Sequence, residues 1–355
     1  MIDEQWRQFH ETLEAIGREL LPAAPDAETR IEGVGYLARL AAYGIERHLM
    51  GPERLQNGLS FTVPRIGGYN PDYRIGSSSL DPARRYCLSG NTRGAYRIGV
   101  GAYSLQPDGR IAIDSYRILT GAAGNCDFAI EVATDADPES GLSLAATSNL
   151  LLIREIRLKK DDAPADFEFR DLEQAVAALP APSAADVERS FTATRQFITG
   201  SLKQFMLWSR TFAARPNEIT PLDPDLDRAV QGDPGTRYYS GYFHLTGNQA
   251  LVIEIPSFAC DYWGVQITSH WLEPMAASHL NHATAQPGAD GVTRILVSAS
   301  PPGQANWLAT GGRARGAIFH RTINAERALC PACHLIDLDR DRPGPGSKAL
   351  RPGGK

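Results

Sequence analysis

The sequence predicts an α+β protein, mainly β, in which two antiparallel blocks of sandwich or jelly-roll type stand beside N-terminal helices and a helical insert. Three observations carry that expectation. Apolar residues recur at three- and four-residue spacing over the first 50 positions, short β-branched and aromatic runs broken by turn residues fill 59–160 and again 237–338, and a second helical period separates these two stretches. With 355 residues, 43% hydrophobic and 22% charged, the chain can build two domains or one large composite one.

The elements follow in order. Over 4–22, Trp6, Phe9, Leu13, Ile16 and Leu20 form one apolar helical stripe. A second helix over 27–50 has Leu37, Leu40, Ile45 and Leu49 on its buried side and stops at GPERLQNG. From Leu59 the texture turns to strands: LSFTV, RRYCLSG, GAYRIGVGAYSL, RIAIDSYRIL, CDFAIEVA and SNLLLIREIRLKK. QPDGR reads as a hairpin turn, because Asp-Gly tolerates the positive φ of a tight turn. Ser183 and Asp186 form a capping box that starts the inserted helix, whose apolar face is Val187, Phe191, Ile198, Leu202, Phe205 and Phe212. RYYSGYFHL, ALVIEI, DYWGVQITS, VTRILVSAS, RGAIFHRTI and HLIDL make the second block. The domain reading is therefore helices over 1–58, a first β block over 59–160, helical insert and linker over 161–236, a second β block over 237–338, and a Pro-, Gly- and charge-rich tail over 339–355 outside the fold.

Bulk charge narrows the partners. Lys and Arg number 36 against 41 Asp and Glu, a net charge of −5 with no basic stripe, which argues against nucleic acid. No apolar run approaches the length of a membrane helix. The N-terminus is acidic and amphipathic, without the basic start and apolar stretch of a secretory signal, and five cysteines are an odd number for a disulfide framework. The expected compartment is the cytoplasm. The N-terminal helices are read as packing or homo-oligomer elements. Classical signatures are missing: there is no nucleophile elbow, and with no Gly-rich phosphate loop and no dinucleotide fingerprint nucleotide chemistry has no foothold.

The second block carries a resemblance. Its motifs are the apolar strand before Glu254, Tyr262-Trp263, the DGVTRILVS strand at 290–298, the Pro-Gly-x-x-Asn-Trp-Leu turn at 302–308 and the strand reaching Arg321. Together with the Asn70-Pro71-Asp72-Tyr73 turn of the first block, these resemble a bacterial family catalogued as domain of unknown function 1214. The resemblance implies a jelly-roll-like domain with a cleft near the helical insert. Relatives are common in bacteria that degrade hydrophobic and aromatic compounds, which points to a hydrophobic, ring-containing substrate.

Several residues could carry chemistry. His270 follows a strand and precedes Trp271, so its imidazole stands at a strand end beside an aromatic wall and can move a proton near neutral pH. Tyr262 and Tyr242 are phenolic partners for it; Trp263, Trp271 and Trp307 offer ring-binding walls. Asn306 and Arg321 would orient an oxygen or carboxylate, for which the arginine fork is suited. The expected function is a lyase, isomerase or hydrolase working by proton transfer without a cofactor. The alternatives are a non-catalytic small-molecule binder and a metalloenzyme built on His270, His279 and His282 with Glu273, the His279-x-x-His282 pair being read as one helical face. Cys330-Pro-Ala-Cys333-His334 matches the haem-attachment string and supplies three of four zinc ligands with His320 as a fourth, but it runs into a strand, and two ordinary thiols are the preferred reading.

Overall fold

A computed structural model describes residues 2–50, 58–61, 64–106, 111–119, 124–173, 182–229 and 232–339. Helices α1 (Ile2–Leu20) and α2 (Ala27–His48) open the chain. Eight strands follow: β1 (Tyr73–Ser79), β2 (Tyr86–Asn91), β3 (Arg97–Leu105), β4 (Ile111–Ile118), β5 (Asp127–Ala133), β6 (Leu142–Ser143), β7 (Leu150–Ile156) and β8 (Asp166–Asp171). After helix α3 (Ala184–Ala213), strand β9 (Ile219–Pro221) and the short α4 (Pro224–Ala229) come β10 (Thr236–His244), β11 (Gln249–Pro256), β12 (Tyr262–Thr268), β13 (Pro274–Asn281), β14 (Val292–Ser298), β15 (Trp307–Ala309), β16 (Arg315–Ile323) and β17 (Ala332–Asp337). The chain is mainly β, with the N-terminal helices and the helical insert in the expected places. No helix among the described residues is long and apolar enough to cross a membrane.

Packing divides the chain into two compact units. The first holds Met1–Trp208 with Asp223–Thr236, the second Ser209–Leu222 with Arg237–Lys355. In the first unit, Asp26 caps α2 by accepting from the Thr29 N–H at 2.7 Å. The buried face of α2 is Thr29, Gly33, Tyr36, Leu40 and Gly44: Leu40 is buried as expected, but the face is rotated away from Leu37 and Ile45, which are only partly buried. Gly44 sets that rotation: a Cβ there would stand 3.0 Å from Ile198 of α3, so the helices approach where the side chain is missing. Trp6, assigned to the buried stripe of α1, is 56% exposed, although its ring meets Phe191 edge-on. The Ser183–Asp186 capping box forms as expected, with Asp186 accepting from the Ser183 N–H at 2.8 Å.

The first unit's strands make two four-stranded sheets, ordered β1-β7-β3-β4 and β6-β5-β2-β8. Their alternating residues meet in one apolar core: Ile98, Val100, Leu151 and Ile153 from one sheet against Leu88, Val132, Phe167 and Phe169 from the other. The β3–β4 hairpin pairs Leu105 with Ile111; its 107–110 turn lies outside the described residues. Strand β8, in the stretch read from the sequence as insert, completes the second sheet by pairing Leu88 with Phe169. A half-buried ion pair ties β1 to β7, with Arg74 3.0 Å from the fully buried Glu155, which also accepts the Ala165 N–H.

The second unit repeats the plan with sheets β13-β12-β16-β10-β9 and β15-β14-β11-β17. Its core joins Phe243, Val265, Ile267 and Ile318 to Leu251, Ile253, Ile295 and Val297. Three of its strands were not expected, among them the short β15, which pairs with β14 where the sequence reads as a loop. β9 pairs with β10 at one edge, and β13 pairs with β12 at the other. β13 starts on Pro274 and holds two alanines, poor strand formers that an edge position tolerates. The tail beyond 339 falls outside the described residues.

Asn306 shows how this unit is stapled. Its side-chain oxygen accepts the Gln286 N–H at 2.8 Å, while its amide nitrogen donates to the carbonyls of Gln286 at 2.7 Å and Arg294 at 3.1 Å. The amide is thus committed to joining two loops to β14. Asn306→Ala should lower unfolding free energy by about 1–3 kcal/mol, since three part-buried backbone groups lose this partner. Urea unfolding of the two proteins measures this, and an unchanged midpoint would remove Asn306 from its structural role.

Candidate functional site

Strand β12, YWGVQIT, is buried at every position. Strand geometry sends Trp263, Val265 and Ile267 into the sandwich core and turns Tyr262, Gly264, Gln266 and Thr268 to the outer face. Register fixes the neighbours on that face. β16 sets Arg321 opposite Gly264 and Phe319 opposite Gln266, and β13 sets Asn281 and His279 opposite the same two residues. The outer face is therefore polar yet shielded, with Gln266 and Thr268 at 0% exposure. Burying so many polar groups is costly unless each is hydrogen-bonded, and such surfaces are where binding sites are built.

His270 sits in the turn that joins β12 to β13. The Ser269 N–H donates to the Glu273 carbonyl at 2.9 Å and the Leu272 N–H to the Ser269 carbonyl at 3.0 Å, closing a short hairpin loop. Leu272 takes φ +60°, the left-handed conformation usually left to glycine, while its side chain is fully buried. Strain of this kind collects at functional sites, and here burial of the leucine holds it.

The loop aims the imidazole at a phenol. Tyr242 Oη lies 2.7 Å from His270 Nδ1 and Ser209 Oγ lies 3.2 Å from it. Ser209 also donates to the His270 carbonyl at 2.7 Å. With that single hydroxyl proton committed, the imidazole has two arrangements. It accepts the Tyr242 proton at Nδ1, or it carries Nδ1–H toward the Tyr242 and Ser209 oxygens. The Trp271 ring packs edge-on at 4.8 Å, and three residues after Ser209 the Phe212 ring meets Phe319 at 5.7 Å. The end of α3 thus fixes both the histidine and the aromatic wall.

A second cluster lies at the other end of β12. A Cβ on Gly264 would stand 2.4 Å from the Tyr262 hydroxyl and 3.2 Å from His279 Nε2, so both side chains converge where the glycine leaves room. Arg321 stands over the Phe319 ring at 5.2 Å. Burial, then the nearby Arg321 charge, pull His279 down to about 3. His320, on the core side of the same sheet, is held at about 4 by burial, with its Nδ1 3.1 Å from the Gly264 carbonyl. Burial also lowers His282, whose ring meets Tyr262 edge-on at 5.8 Å.

The structure brings together His270, Tyr242, Trp271 and, further along the same face, Arg321 and Tyr262. It places the other expected site residues elsewhere. Trp263 belongs to the core, because a one-residue step along a strand reverses the face. Asn306 is consumed by the backbone bonds described above, and the Trp307 indole N–H is pinned to Ser298 Oγ at 3.0 Å in the opposite sheet. The His279–His282 pair sits on and just beyond a strand, not on a helix, so the two rings do not share the face that helical spacing implied. Among the described residues no group of three His, Cys, Asp or Glu converges as metal ligands. Cys333 packs against the core, with burial pushing its thiol up to about 12, and strand alternation turns His334 to the opposite face, while Cys330 is exposed. Ser209, Gln266, Phe319 and Leu272 were missed. Ser209 and Leu272 follow helical and turn patterns that say nothing about a distant imidazole.

No family model matches the chain, and no curated protein does. Solved structures do. An uncharacterized protein from Burkholderia cenocepacia is 26% identical, covers 95% of this chain and 97% of its own, and superposes with a TM-score of 0.83. The VPA0106 protein from Vibrio parahaemolyticus, 13% identical, covers 84% of this chain and 96% of its own at a TM-score of 0.51. The fold is thus one already seen in bacterial proteins.

The histidines give the site a pH signature. His279 and His320 are neutral when folded and take up protons near 6.5 when unfolded. Their depressed values cost no stability above pH 6.5. Below it the unfolded chain binds more protons, so stability should fall as pH drops from 6.5 toward 4, on the order of 1 kcal/mol per pH unit for each histidine. Urea midpoints between pH 7 and 4.5 test this, and His279→Gln should flatten the dependence.

Proposed function

We propose that the outer face of the β13-β12-β16-β10-β9 sheet binds a hydrophobic, ring-containing small molecule and moves a proton on it, as a lyase, isomerase or hydrolase. The observation that carries this reading is the buried Tyr242–His270 hydrogen bond, presented on a strained turn and braced by Ser209. His270 is the base. Its imidazole takes the substrate proton, and Tyr242 Oη, accepting from Nδ1–H, stabilises the imidazolium that forms. Trp271 and Phe319 supply ring-shaped walls, and Arg321 orients a substrate oxygen or carboxylate from beyond Phe319. Tyr262 serves at the far end of the face, beside His279. The reading needs no organic cofactor, because the chain itself supplies both proton partners. Kinship with domain of unknown function 1214 is part of the same proposal, supported by the structural use of its motif residues: Tyr262-Trp263 on the central strand, Asn306 stapling two loops, and Arg321 opposite Gly264.

A binder without turnover would use the same face. Solvent deuterium separates the two. In D2O, a panel of ring-containing acids and ketones incubated with the protein should gain deuterium, which mass spectrometry reads as added mass whatever the product is. His270→Gln should reduce exchange by about a hundredfold or more, and Tyr242→Phe by a smaller factor, in variants whose melting shows that they remain folded. Ligand binding with no exchange would leave a binder, and full exchange in His270→Gln would remove the histidine from the chemistry.

A further inference from the structure

Helix α2 is apolar on its outward side as well as on the side it buries. At about 3.6 residues per turn, the buried face through Thr29, Gly33, Tyr36, Leu40 and Gly44 stands opposite a stripe through Ile31, Val34, Ala38, Ala42 and Ile45. Gly35 and Ala41 fill the gaps, so between Ile31 and Ile45 no polar side chain enters the stripe. Ile31 is 73% exposed and Val34 57%, the two most exposed large hydrophobic side chains among the described residues. A helix at a free surface keeps that side polar, whereas a helix apolar all round is one that something covers.

The charges flanking the stripe select the cover. Arg30 stands on one flank, and Glu28 and Glu46 stand on the other. Arg30 and Glu28 are both exposed, and neither makes an ion pair among the described residues. Two α2 helices related by a two-fold axis along their length bring opposite flanks together, so each Arg30 faces Glu28 of the other copy. An antiparallel pair brings like flanks together and sets Glu28 against Glu46, both negative. The parallel pair is the complementary one, and symmetry makes its Arg30–Glu28 contact twice. Its seam has heptad spacing through Ile31, Val34, Ala38, Ala41 and Ile45, with alanines in the middle where the backbones must come close.

We propose that this chain pairs with a second copy of itself through the outer stripe of α2, parallel and two-fold symmetric, with Arg30 of each copy against Glu28 of the other. From Ile31 to Ile45 the seam is about 21 Å long and about 10 Å wide. That is less than the roughly 800 Å² per partner of a standard interface, so the association belongs in the micromolar range. The pairing uses no residue of the Tyr242–His270 face and stands independently of it.

Sedimentation equilibrium of the full chain between about 1 and 200 μM should show monomer passing to dimer. Val34→Glu should keep the protein monomeric over that range with its circular dichroism unchanged, because Val34 is exposed in the single chain. Arg30→Glu and Glu28→Arg should each weaken association about tenfold or more, and the double variant, with the two charges exchanged, should restore it. A monomer at every concentration overturns the proposal, as does a dimer that Val34→Glu leaves intact. Tighter association of Glu28→Arg alone would reveal the antiparallel pair and overturn the parallel one. Binding of the unaltered chain to phosphatidylcholine vesicles, lost in Val34→Glu and without dimer in solution, would give the stripe to a lipid surface instead.

Discussion

A strand buried on both faces, with only one of them apolar, is the constraint on which the second unit depends. β12 gives Trp263, Val265 and Ile267 to the sandwich and must still satisfy Gln266, Thr268 and the Tyr262 hydroxyl away from water. Orphaned groups there would cost about 1–3 kcal/mol each, a large share of a domain's net stability. The neighbouring strands set polar groups as well as the Phe319 ring on that side. They bring His279, Asn281 and Arg321, and the chain turns at His270 so that its imidazole meets Tyr242 and Ser209. The chemistry attributed to this face grows out of the same requirement.

The two units solve a similar problem in a similar way. In each, a glycine on a central strand pairs in register with an arginine: Gly99 with Arg154, Gly264 with Arg321. In each, a tyrosine hydroxyl drops into the space the glycine leaves, from Tyr116 in one and Tyr262 in the other. Any larger residue would strike the phenol, so the glycines act through lack of volume; neither has a positive φ. A sequence reader sees a strand weakened by glycine, whereas the sheet gains a place to hold a phenol beside a guanidinium.

Alternation and turn chemistry made most of the fold legible. β3, β10, β11, β12, β14 and β16 follow their apolar runs, and the Ser183–Asp186 capping box starts α3. The elements that escaped did so for physical reasons. β13 is an edge strand with proline and alanine, and β8 reads as polar because only Phe167 and Phe169 face inward. Of the site, His270 with Tyr242 could be named from residue type and position. The face each side chain takes could not: Trp263 and Tyr262 are neighbours in sequence and point to opposite sides of the sheet. Asn306 illustrates a further limit, since an amide suited to a ligand is equally suited to three backbone groups, and only geometry shows which it holds.

The turn at 269–273 shows why local and tertiary demands part company at this site. A short hairpin loop with a left-handed residue calls for glycine at position 272, and glycine would relieve the backbone. The chain has leucine, fully buried. Burying that side chain contributes about 1.5–3 kcal/mol, more than the roughly 1–2 kcal/mol that a left-handed residue costs. The balance therefore favours leucine, and it has a consequence for His270. A glycine would leave the loop free to move, whereas an anchored leucine two residues after the histidine fixes the backbone from which the imidazole projects. Ser209 holds the same residue by its carbonyl, from the end of α3. The hydrogen bond between Tyr242 and His270 needs that distance kept near 2.7 Å, and leucine anchor and serine clasp together keep it there.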